Sequence, residues 1–254
     1  MSDGADIEWT DATWNPVTGC TKVSAGCDNC YAATLAARLQ RMGNPRYKNG
    51  FKVTLHPDVL ELPLKWKQPR RIFVNSMSDL YHKDVPDEFI LKAFDVMERA
   101  HWHTFQILTK RPQRLARISS KVRWPENIWQ GVSIEDNRVG FRADWLRKVP
   151  AAVRFVSFEP LIGAVDQVEL DGIDWAIAGG ESGWSSRPMK KEWVVDLLRR
   201  CRKEKVAFFF KQWGGVHHAA GGRELNRQTY DFFPRPMLRD PTISQSPKMV
   251  EVEA

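Results

Sequence analysis

Six apolar runs rich in β-branched and aromatic residues recur along the chain, and each ends abruptly in polar, charged or glycine residues. Near-continuous apolar runs of this kind are typical of strands buried on both faces of a parallel sheet. A helical pattern usually follows each run. The runs are RIFVNSMSD (71–79), TFQILTKRP (104–112), IWQGVSIED (128–136), RFVSFEPL (154–161), DWAIAGGES (174–182) and AFFFKQWGG (207–215).

Two of the intervening segments have a clear helical period, residues 86–100 and residues 190–204. Pro86 suits the first turn of the earlier helix, with Asp84 as its candidate cap. The later helix carries basic residues opposite its apolar stripe, and we expect Cys201 on that stripe to be a buried packing residue. The apolar faces comprise Phe89, Ala93, Phe94 and Met97 in the first helix, and Val194, Leu197, Leu198 and Cys201 in the second.

Alternating strands and helices predict right-handed βαβ units. DATWNPVTG (11–19) could supply one more strand, and FKVTLHP (51–57) a strand or an edge element. Six to eight strands in series predict an α/β fold, a full or partial (β/α) TIM-like barrel with mostly parallel strands. We expect one domain over 1–237, in which 216–237 form a loop-rich C-terminal cap, and a flexible tail over 238–254.

Polar residues and glycines stand at the ends of all six predicted strands. Any one of them is explained by an ordinary cap or turn. Because chemistry in such barrels lies at the C-terminal strand ends, six consecutive polar ends predict one shared polar mouth. The residues are Asn75, Ser76, Ser78, Asp79, Thr109, Lys110, Ser133, Glu135, Asp136, Ser157, Glu159, Gly179, Gly180, Glu181, Ser182, Lys211 and Gln212.

Composition adds limits to this outline. The 254 residues carry a net charge of +7, which permits a nucleic acid or another polyanion as partner, although a solvated basic surface explains it equally well. No run of eighteen apolar residues indicates a transmembrane helix, and MSDGADIEW at the N-terminus does not resemble a secretory signal. We therefore expect a cytoplasmic protein without membrane contact, in which thiols stay reduced.

Three of the four cysteines, Cys20, Cys27 and Cys30, lie in the segment 15–31 with the spacing C-x6-C-x2-C. A structural zinc site would require a fourth ligand from elsewhere, such as His56 or His82. A redox C-x-x-C pair would leave Cys20 unexplained. The third possibility is a 4Fe-4S cluster on three thiolates, whose open iron binds a small molecule. A helix over 31–42, with Tyr31, Leu35 and Leu39 on one face, would direct its N-terminal dipole at the cluster.

Three cysteines on the first loop of a (β/α) barrel resemble the radical S-adenosylmethionine superfamily, although C-x3-C-x2-C is the common spacing there. Asn29 stands where an aromatic residue often precedes the last cysteine. More closely, the chain resembles a phage and prophage family of three-cysteine proteins of unknown function. The motifs that carry this resemblance are WNPVTGCTKVSAGCDNCYA, FVNSMSDLYH, ILTKRP, GVSIEDN, FEPLIG, AGGESG and FKQWGG, over about residues 8–215.

The resemblance implies that Cys20, Cys27 and Cys30 are the ligands of a 4Fe-4S cluster with S-adenosylmethionine on its open iron. By position, Ser76, Ser78 and Asp79 are candidates for its methionine amino group. Ser133 and Glu135 are candidates for its ribose hydroxyls. Glu159, Lys110, Arg187 and Lys211 are candidates to hold its carboxylate or an anionic substrate. AGGES follows a late strand, so its superfamily role is not transferred, but Gly179 and Gly180, beside Glu181, would let a ligand approach the backbone.

The predicted function is a radical S-adenosylmethionine-type iron–sulfur enzyme, which forms a 5′-deoxyadenosyl radical and abstracts hydrogen from an unknown substrate. It requires a one-electron reductant, and a nucleic acid or nucleotide is the candidate substrate. One alternative is a non-catalytic nucleic-acid-binding protein stabilised by zinc or a cluster. Another is a metal-dependent barrel hydrolase that uses Asp79, Glu135, Glu159 and Glu181.

Overall fold

The structure is a computed structural model that describes residues 7–217 and 220–234, so the predicted tail, 238–254, lies outside the described residues. Seven strands form the main sheet: β1 (Ala12–Trp14), β4 (Arg71–Val74), β5 (Thr104–Thr109), β6 (Ile128–Ser133), β7 (Arg154–Phe158), β8 (Trp175–Gly179) and β9 (Ala207–Gln212). Their order is β1-β4-β5-β6-β7-β8-β9, and all six pairings are parallel. The sheet is a curled half-barrel, which confirms the predicted partial α/β barrel and all six predicted strands.

The segments before and after the cysteines depart from the prediction. DATWNPVTG divides in two, because Pro16 follows β1 and lacks the N–H that a ladder needs. The second half, β2 (Val17–Thr18), pairs antiparallel with β3 (Thr54–Leu55). FKVTLHP therefore supplies half of a separate two-stranded sheet, and only β1 joins the barrel.

Within the described residues, six α-helices accompany the strands: α1 (Tyr31–Arg41), α2 (Leu62–Lys65), α3 (Asp87–Arg99), α4 (Pro112–Ser119), α5 (Phe141–Leu146) and α6 (Lys191–Glu204). Short 3₁₀ helices cover Ala25–Cys27, Pro45–Tyr47, Pro57–Val59 and Asn137–Val139. The predicted apolar faces of α3 and α6 are buried, and Cys201 is fully buried among them. In the described part of the chain no helix combines the length and apolarity of a membrane span.

Two helix predictions need correction. Pro86 itself occupies the N-cap of α3 in extended conformation, so Asp84 is not the cap. In α1 the buried residues are Ala32 and Ala36, which pack with Tyr47 and Met77. Tyr31 and Leu35, on the predicted apolar face, are exposed, because small side chains let this helix lie close to its neighbours.

An aromatic cluster fills the inside of the half-barrel towards the N-terminal ends of the strands. Trp175 lies at its centre, with ring centroids 5.1–6.1 Å from those of five other aromatic residues. One of them, Phe233, comes from the loop-rich C-terminal segment, and Phe232 accepts a hydrogen bond from the Trp175 indole through its carbonyl oxygen. Phe232 and Phe233 therefore lie at the end of the half-barrel opposite the C-terminal strand ends, while the predicted cap over 216–237 stays a prediction, since 218–219 and 235–237 lie outside the described residues. The polar residues lie at the other end, around the C-terminal ends of the strands, which we call the mouth.

Candidate functional site

Alternation along the strands directs polar residues into the mouth. Trp129, Phe155, Trp175 and Phe209 belong to the aromatic cluster inside the half-barrel. Side chains two and four positions further along a strand lie on the same face. The residues that reach the mouth in this way are Ser133, Ser157, Gly179 and Lys211.

Glu159, just after β7, links three neighbouring strand ends at the mouth. Its Oε1 lies 3.2 Å from Lys211 Nζ, and its Oε2 accepts a hydrogen bond from Ser157 Oγ at 3.0 Å. A Cβ on Gly179 would lie 2.4 Å from Oε1, so a larger residue there would displace this carboxylate. Lys211 is therefore already neutralised within the protein. Glu159, itself an anion, is unsuited to hold a carboxylate.

The three cysteines lie on the segment Gly19–Cys30, which we call the cysteine loop. Gly19 begins it at a positive φ of 86°, and its N–H donates to the Met77 carbonyl oxygen at 3.0 Å. A Cβ at this position would lie 2.3 Å from the Lys52 carbonyl oxygen, so the close approach requires glycine. Cys20 N–H donates to the Phe51 carbonyl oxygen at 3.2 Å. The loop is thus fixed at its start between the β4 end and the β3 strand.

Arg111, just after β5, holds the first cysteine. Its Nη1 donates to Cys20 Sγ at 3.4 Å, and its Nη2 donates to the Thr21 carbonyl oxygen at 2.9 Å. The same guanidinium pairs with Asp79 at 2.9 Å. Burial, reinforced by the Asp79 charge, raises the pKa of the Cys20 thiol above its usual value although Arg111 opposes it. A coordinated metal would override this shift, because it deprotonates its thiol ligand.

Asp79 serves as a buried anchor for the β5 loop. Its carboxylate accepts hydrogen bonds from Thr109 Oγ1 at 2.8 Å, Tyr81 N–H at 3.0 Å and Lys110 N–H at 3.1 Å, in addition to the Arg111 pair. These donors occupy both oxygens, so Asp79 positions Arg111 and offers little to an outside ligand. The Lys110 ammonium, by contrast, has no partner among the described residues.

Glu135, two residues after β6, supports the middle of the cysteine loop. Its carboxylate accepts a hydrogen bond from the Ser24 hydroxyl. A Cβ on Gly26 would lie 2.3 Å from Glu135 Cγ, so the loop backbone rests directly on this side chain. On its other side Glu135 pairs with Arg142 at 2.8 Å, and the two side chains are 1% and 3% exposed. Arg142 also donates to the Ser133 carbonyl oxygen at 2.7 Å.

Glu181 and Arg187, both after β8, hold the end of the loop. Arg187 Nη2 lies 2.6 Å from Glu181 Oε1, and it also donates to the Ala25 carbonyl oxygen at 2.8 Å. Asn29 Nδ2 donates to Glu181 Oε2 at 3.0 Å. Burial would raise the pKa of Glu181, but the hydrogen bonds from Arg187 and Asn29 outweigh it and lower the pKa. The Glu181 carboxylate therefore stays ionised at neutral pH, and it keeps its ion pair with Arg187 and its hydrogen bond from Asn29.

The serines of the β4 end hydrogen-bond mainly within the protein. Ser76 Oγ lies 3.1 Å from Asn15 Nδ2, and the Ser76 carbonyl oxygen accepts from Tyr31 Oη at 2.5 Å. Ser78 Oγ donates to the Val17 carbonyl oxygen at 2.8 Å. Asn75 differs, because it is 2% exposed with a φ of 61° and neither polar atom of its carboxamide has a partner among the described residues. A buried amide without hydrogen bonds costs about 1–3 kcal/mol, which a bound ligand would recover.

The donor set of the cysteine loop suits a metal cluster. Cys20, Cys27 and Cys30 are free thiols with intermediate exposure on one short loop. Soft thiolate donors select zinc, copper(I) or iron–sulfur clusters. Among the described residues no group of three or more His, Cys, Asp or Glu side chains is gathered closely enough for a single metal ion. Three cysteines on one short loop are the donor type that holds an iron–sulfur cluster, in which each thiolate binds a different iron.

Residues 4–234 match the model of a family described as "Protein of unknown function (DUF5131)". The chain belongs to this family. No curated protein matches it.

Three solved structures of spore photoproduct lyase, each 15% identical, are also similar to this chain. The complex with dinucleoside spore photoproduct has a TM-score of 0.48, and the match covers 74% of this chain and 59% of the lyase. A cysteine-to-serine mutant gives 0.49, with 81% and 66% covered. A double mutant with bound AdoMet and dinucleoside spore photoproduct gives 0.47, with 74% and 60% covered. The chain thus spans less than two thirds of the first of these proteins.

Sequence reasoning missed three contacts of this arrangement. Arg111 was not singled out as a contact of the cysteine loop, although it lies in the quoted motif ILTKRP, and the bond from Asn29 in the loop to Glu181 was not predicted. Arg142 stands on a helix whose pattern gives no sign of its pairing with Glu135. Of the predicted residues, Glu135, Glu181 and Arg187 contact the loop directly. Asp79 reaches it through Arg111, and Lys211 with Glu159 forms a separate pair.

Proposed function

We propose that this chain is a radical S-adenosylmethionine-type iron–sulfur enzyme that binds a 4Fe-4S cluster through Cys20, Cys27 and Cys30. The bound cluster would supply one electron to S-adenosylmethionine, the source of a hydrogen-abstracting 5′-deoxyadenosyl radical. A one-electron donor is required as partner. The protein's own part is to fix the cluster loop, orient the ligand and exclude water.

One observation carries the proposal: three free thiols lie on a loop that is fixed over the mouth of a half-barrel at several points. Arg111 holds the Cys20 end, and Glu135 supports Gly26. Arg187 binds the Ala25 carbonyl oxygen, and Glu181 binds Asn29, the residue before Cys30. A loop that only connected two elements would not need such anchoring. Rigid support is what a site needs if three thiolates are to bind one cluster in a fixed orientation.

The charges at the mouth favour this function over a metal-dependent hydrolase. That alternative requires carboxylates free to bind a hard cation. Each of the four candidates already has a cation of its own. The pairs are Asp79 with Arg111, Glu135 with Arg142, Glu181 with Arg187, and Glu159 with Lys211.

The contacts also narrow the candidates for the S-adenosylmethionine site. The Glu135 carboxylate is already bound by Arg142 and Ser24, so we propose Ser133, rather than Glu135, for the ribose. Lys110 carries an ammonium that has no partner in the described part of the chain, and it is proposed to hold the methionine carboxylate. The unsatisfied carboxamide of Asn75 is a further candidate, since it offers both a donor and an acceptor.

The test is anaerobic purification followed by measurement of iron, sulfide and zinc, and electron paramagnetic resonance of the reduced protein with and without S-adenosylmethionine. We expect about four irons and four sulfides per chain and a spectrum that changes with S-adenosylmethionine. A protein that binds only zinc would refute the proposal and support the zinc alternative. A cluster whose spectrum ignores S-adenosylmethionine would reduce the site to a structural or electron-transfer role.

Cys201 provides the matched control. Cys27→Ala should lose the cluster, because a thiolate ligand is removed. Cys201→Ala should retain it, because Cys201 is fully buried on α6 among apolar residues. Loss of iron from the Cys201 variant would identify a fourth ligand and remove the open coordination position on which the proposal depends.

A further inference from the structure

Trp184 is a large apolar side chain left in solvent beside the cysteine loop. It is 89% exposed, whereas Trp9, Trp14, Trp129 and Trp175 are at most 2% exposed. Exposed aromatic residues at a site are typical of binding surfaces, because an indole offers a large stacking face. No packing role within the described residues accounts for Trp184.

The turn that carries Trp184 is attached to the cysteine loop. Gly183 N–H donates to the Gly215 carbonyl oxygen at 2.9 Å, and Ser186 N–H donates to the Gly183 carbonyl oxygen at 3.0 Å. The Ser185 carbonyl oxygen accepts from Asn29 Nδ2 at 2.8 Å. The turn that carries Trp184 is therefore bonded to Asn29, the residue before Cys30, at the rim of the mouth.

A basic pocket lies by the other end of the cysteine loop. It has a volume of about 440 Å³ and is lined by Lys83, Gln113, Arg114 and Arg117. Lys83 follows His82, whose Nε2 lies 2.7 Å from the hydroxyl of Thr21 in the loop.

Positive charge dominates the surroundings of this pocket. Arg114, Arg117 and Lys121 all pair with the single carboxylate of Asp87. Lys83 has no ion pair with the described residues, and Arg117 is 62% exposed. More cations than carboxylates therefore face solvent here, which suits phosphate groups.

We propose that this rim binds a single-stranded nucleic acid, with one base stacked on Trp184 and backbone phosphates in the pocket of Lys83 and Arg117. An aromatic platform combined with a basic track is the general arrangement for single strands, since every base has a stacking face and every nucleotide a phosphate. The inference rests on the proposed function in that it names the substrate of the same mouth. A base stacked on Trp184 would lie beside the cysteine loop.

The test is fluorescence anisotropy of the full chain with labelled single strands of about 20 nucleotides, as DNA and as RNA, and with the matching duplex. Trp184→Ala should weaken single-strand binding about 5- to 150-fold, the range expected for loss of one stacked base. Lys83→Ala/Arg117→Ala should lower the slope of log affinity against log salt by about 1.4, because two phosphate contacts are lost.

Two control variants match these changes. Phe232→Ala removes an aromatic side chain that is 43% exposed at the opposite end of the strands. Arg199→Ala removes a cation that is 79% exposed on α6. Both should bind like the wild type. A difference in affinity between the DNA strand and the RNA strand would show which sugar is preferred, and preference for either strand supports the proposal.

Failure of this inference is distinguishable from failure of the proposed function. No binding of any strand at low salt, or equal affinity of Trp184→Ala and wild type, overturns the inference even if the cluster responds to S-adenosylmethionine. Stronger binding of the duplex than of the single strand also overturns it. Binding that depends on Trp184 in a protein without iron keeps the inference and refutes the proposed function.

Discussion

The buried pair of Glu135 and Arg142 allows a quantitative test of how the cysteine loop is supported. The two side chains are 1% and 3% exposed, and Arg142 Nη1 lies 2.8 Å from Glu135 Oε2. Arg142→Ala would leave the carboxylate buried without its cation, and it would also remove the donor to the Ser133 carbonyl oxygen. Breaking a buried pair in this way costs about 3–5 kcal/mol of unfolding free energy.

Urea unfolding of the apoprotein, followed by tryptophan fluorescence, measures this loss. With a slope of about 2 kcal/mol per molar urea, the midpoint should fall by about 1.5–2.5 M. Glu135→Gln in the same background removes the unpaired charge, so the double variant should be more stable than Arg142→Ala alone.

Arg138 is the matched control, because it pairs with Asp136 one position from Glu135 but its side chain is 75% exposed. Arg138→Ala should leave the midpoint nearly unchanged, since solvent screens exposed pairs. An Arg142→Ala variant within about 1 kcal/mol of the wild type would refute the reasoning. A double variant no more stable than the single one would refute it as well.

Three further predictions follow from individual contacts. Burial raises the pKa of Cys201 to about 12, so a thiol reagent should modify three cysteines of the native apoprotein and the fourth only in denaturant, and rapid modification of all four would contradict this. Hydrogen bonds from Arg114 and Lys121 lower the pKa of Asp87 from 3.8 to about 2, so its contribution to stability is present above about pH 4 and is lost as the pH falls towards 2. In urea unfolding measured as a function of pH, Asp87→Asn should not lose this stability between about pH 4 and pH 2. A variant that loses as much stability as the wild type over this range would contradict the prediction. Gly26→Ala places a Cβ 2.3 Å from Glu135 Cγ, so the variant should purify with several-fold less iron, and wild-type iron would show that the loop tolerates displacement.

Local pattern was sufficient for the strands and the long helices. The six apolar runs all became strands, and α3 and α6 bury the predicted stripes, because burial imposes a period that is visible in consecutive residues. The predictions failed where the element was too short to show a hydrophobic period or where the period did not mark the buried face. β2 and β3 are only two residues each, and α1 buries Ala32 and Ala36 instead of its larger side chains. Strand pairing and the buried face of a helix both depend on the neighbouring elements that pack against them.

By itself, the sequence determined the kind of fold, the three candidate ligands and the polar strand ends, because each is written in neighbouring residues. Only the tertiary structure decided which cation neutralises which carboxylate. Asn29 and Glu181 are 152 positions apart, and Arg111 and Cys20 are 91 apart. Glu135 and Arg142 are only seven apart, yet burial of both side chains, which the strand and helix packing creates, fixes the pair. Charged groups interact across space whatever their distance along the chain, whereas a sequence pattern relates neighbouring residues. The residues that support the cysteine loop could therefore be identified only once the fold had brought the strand ends together.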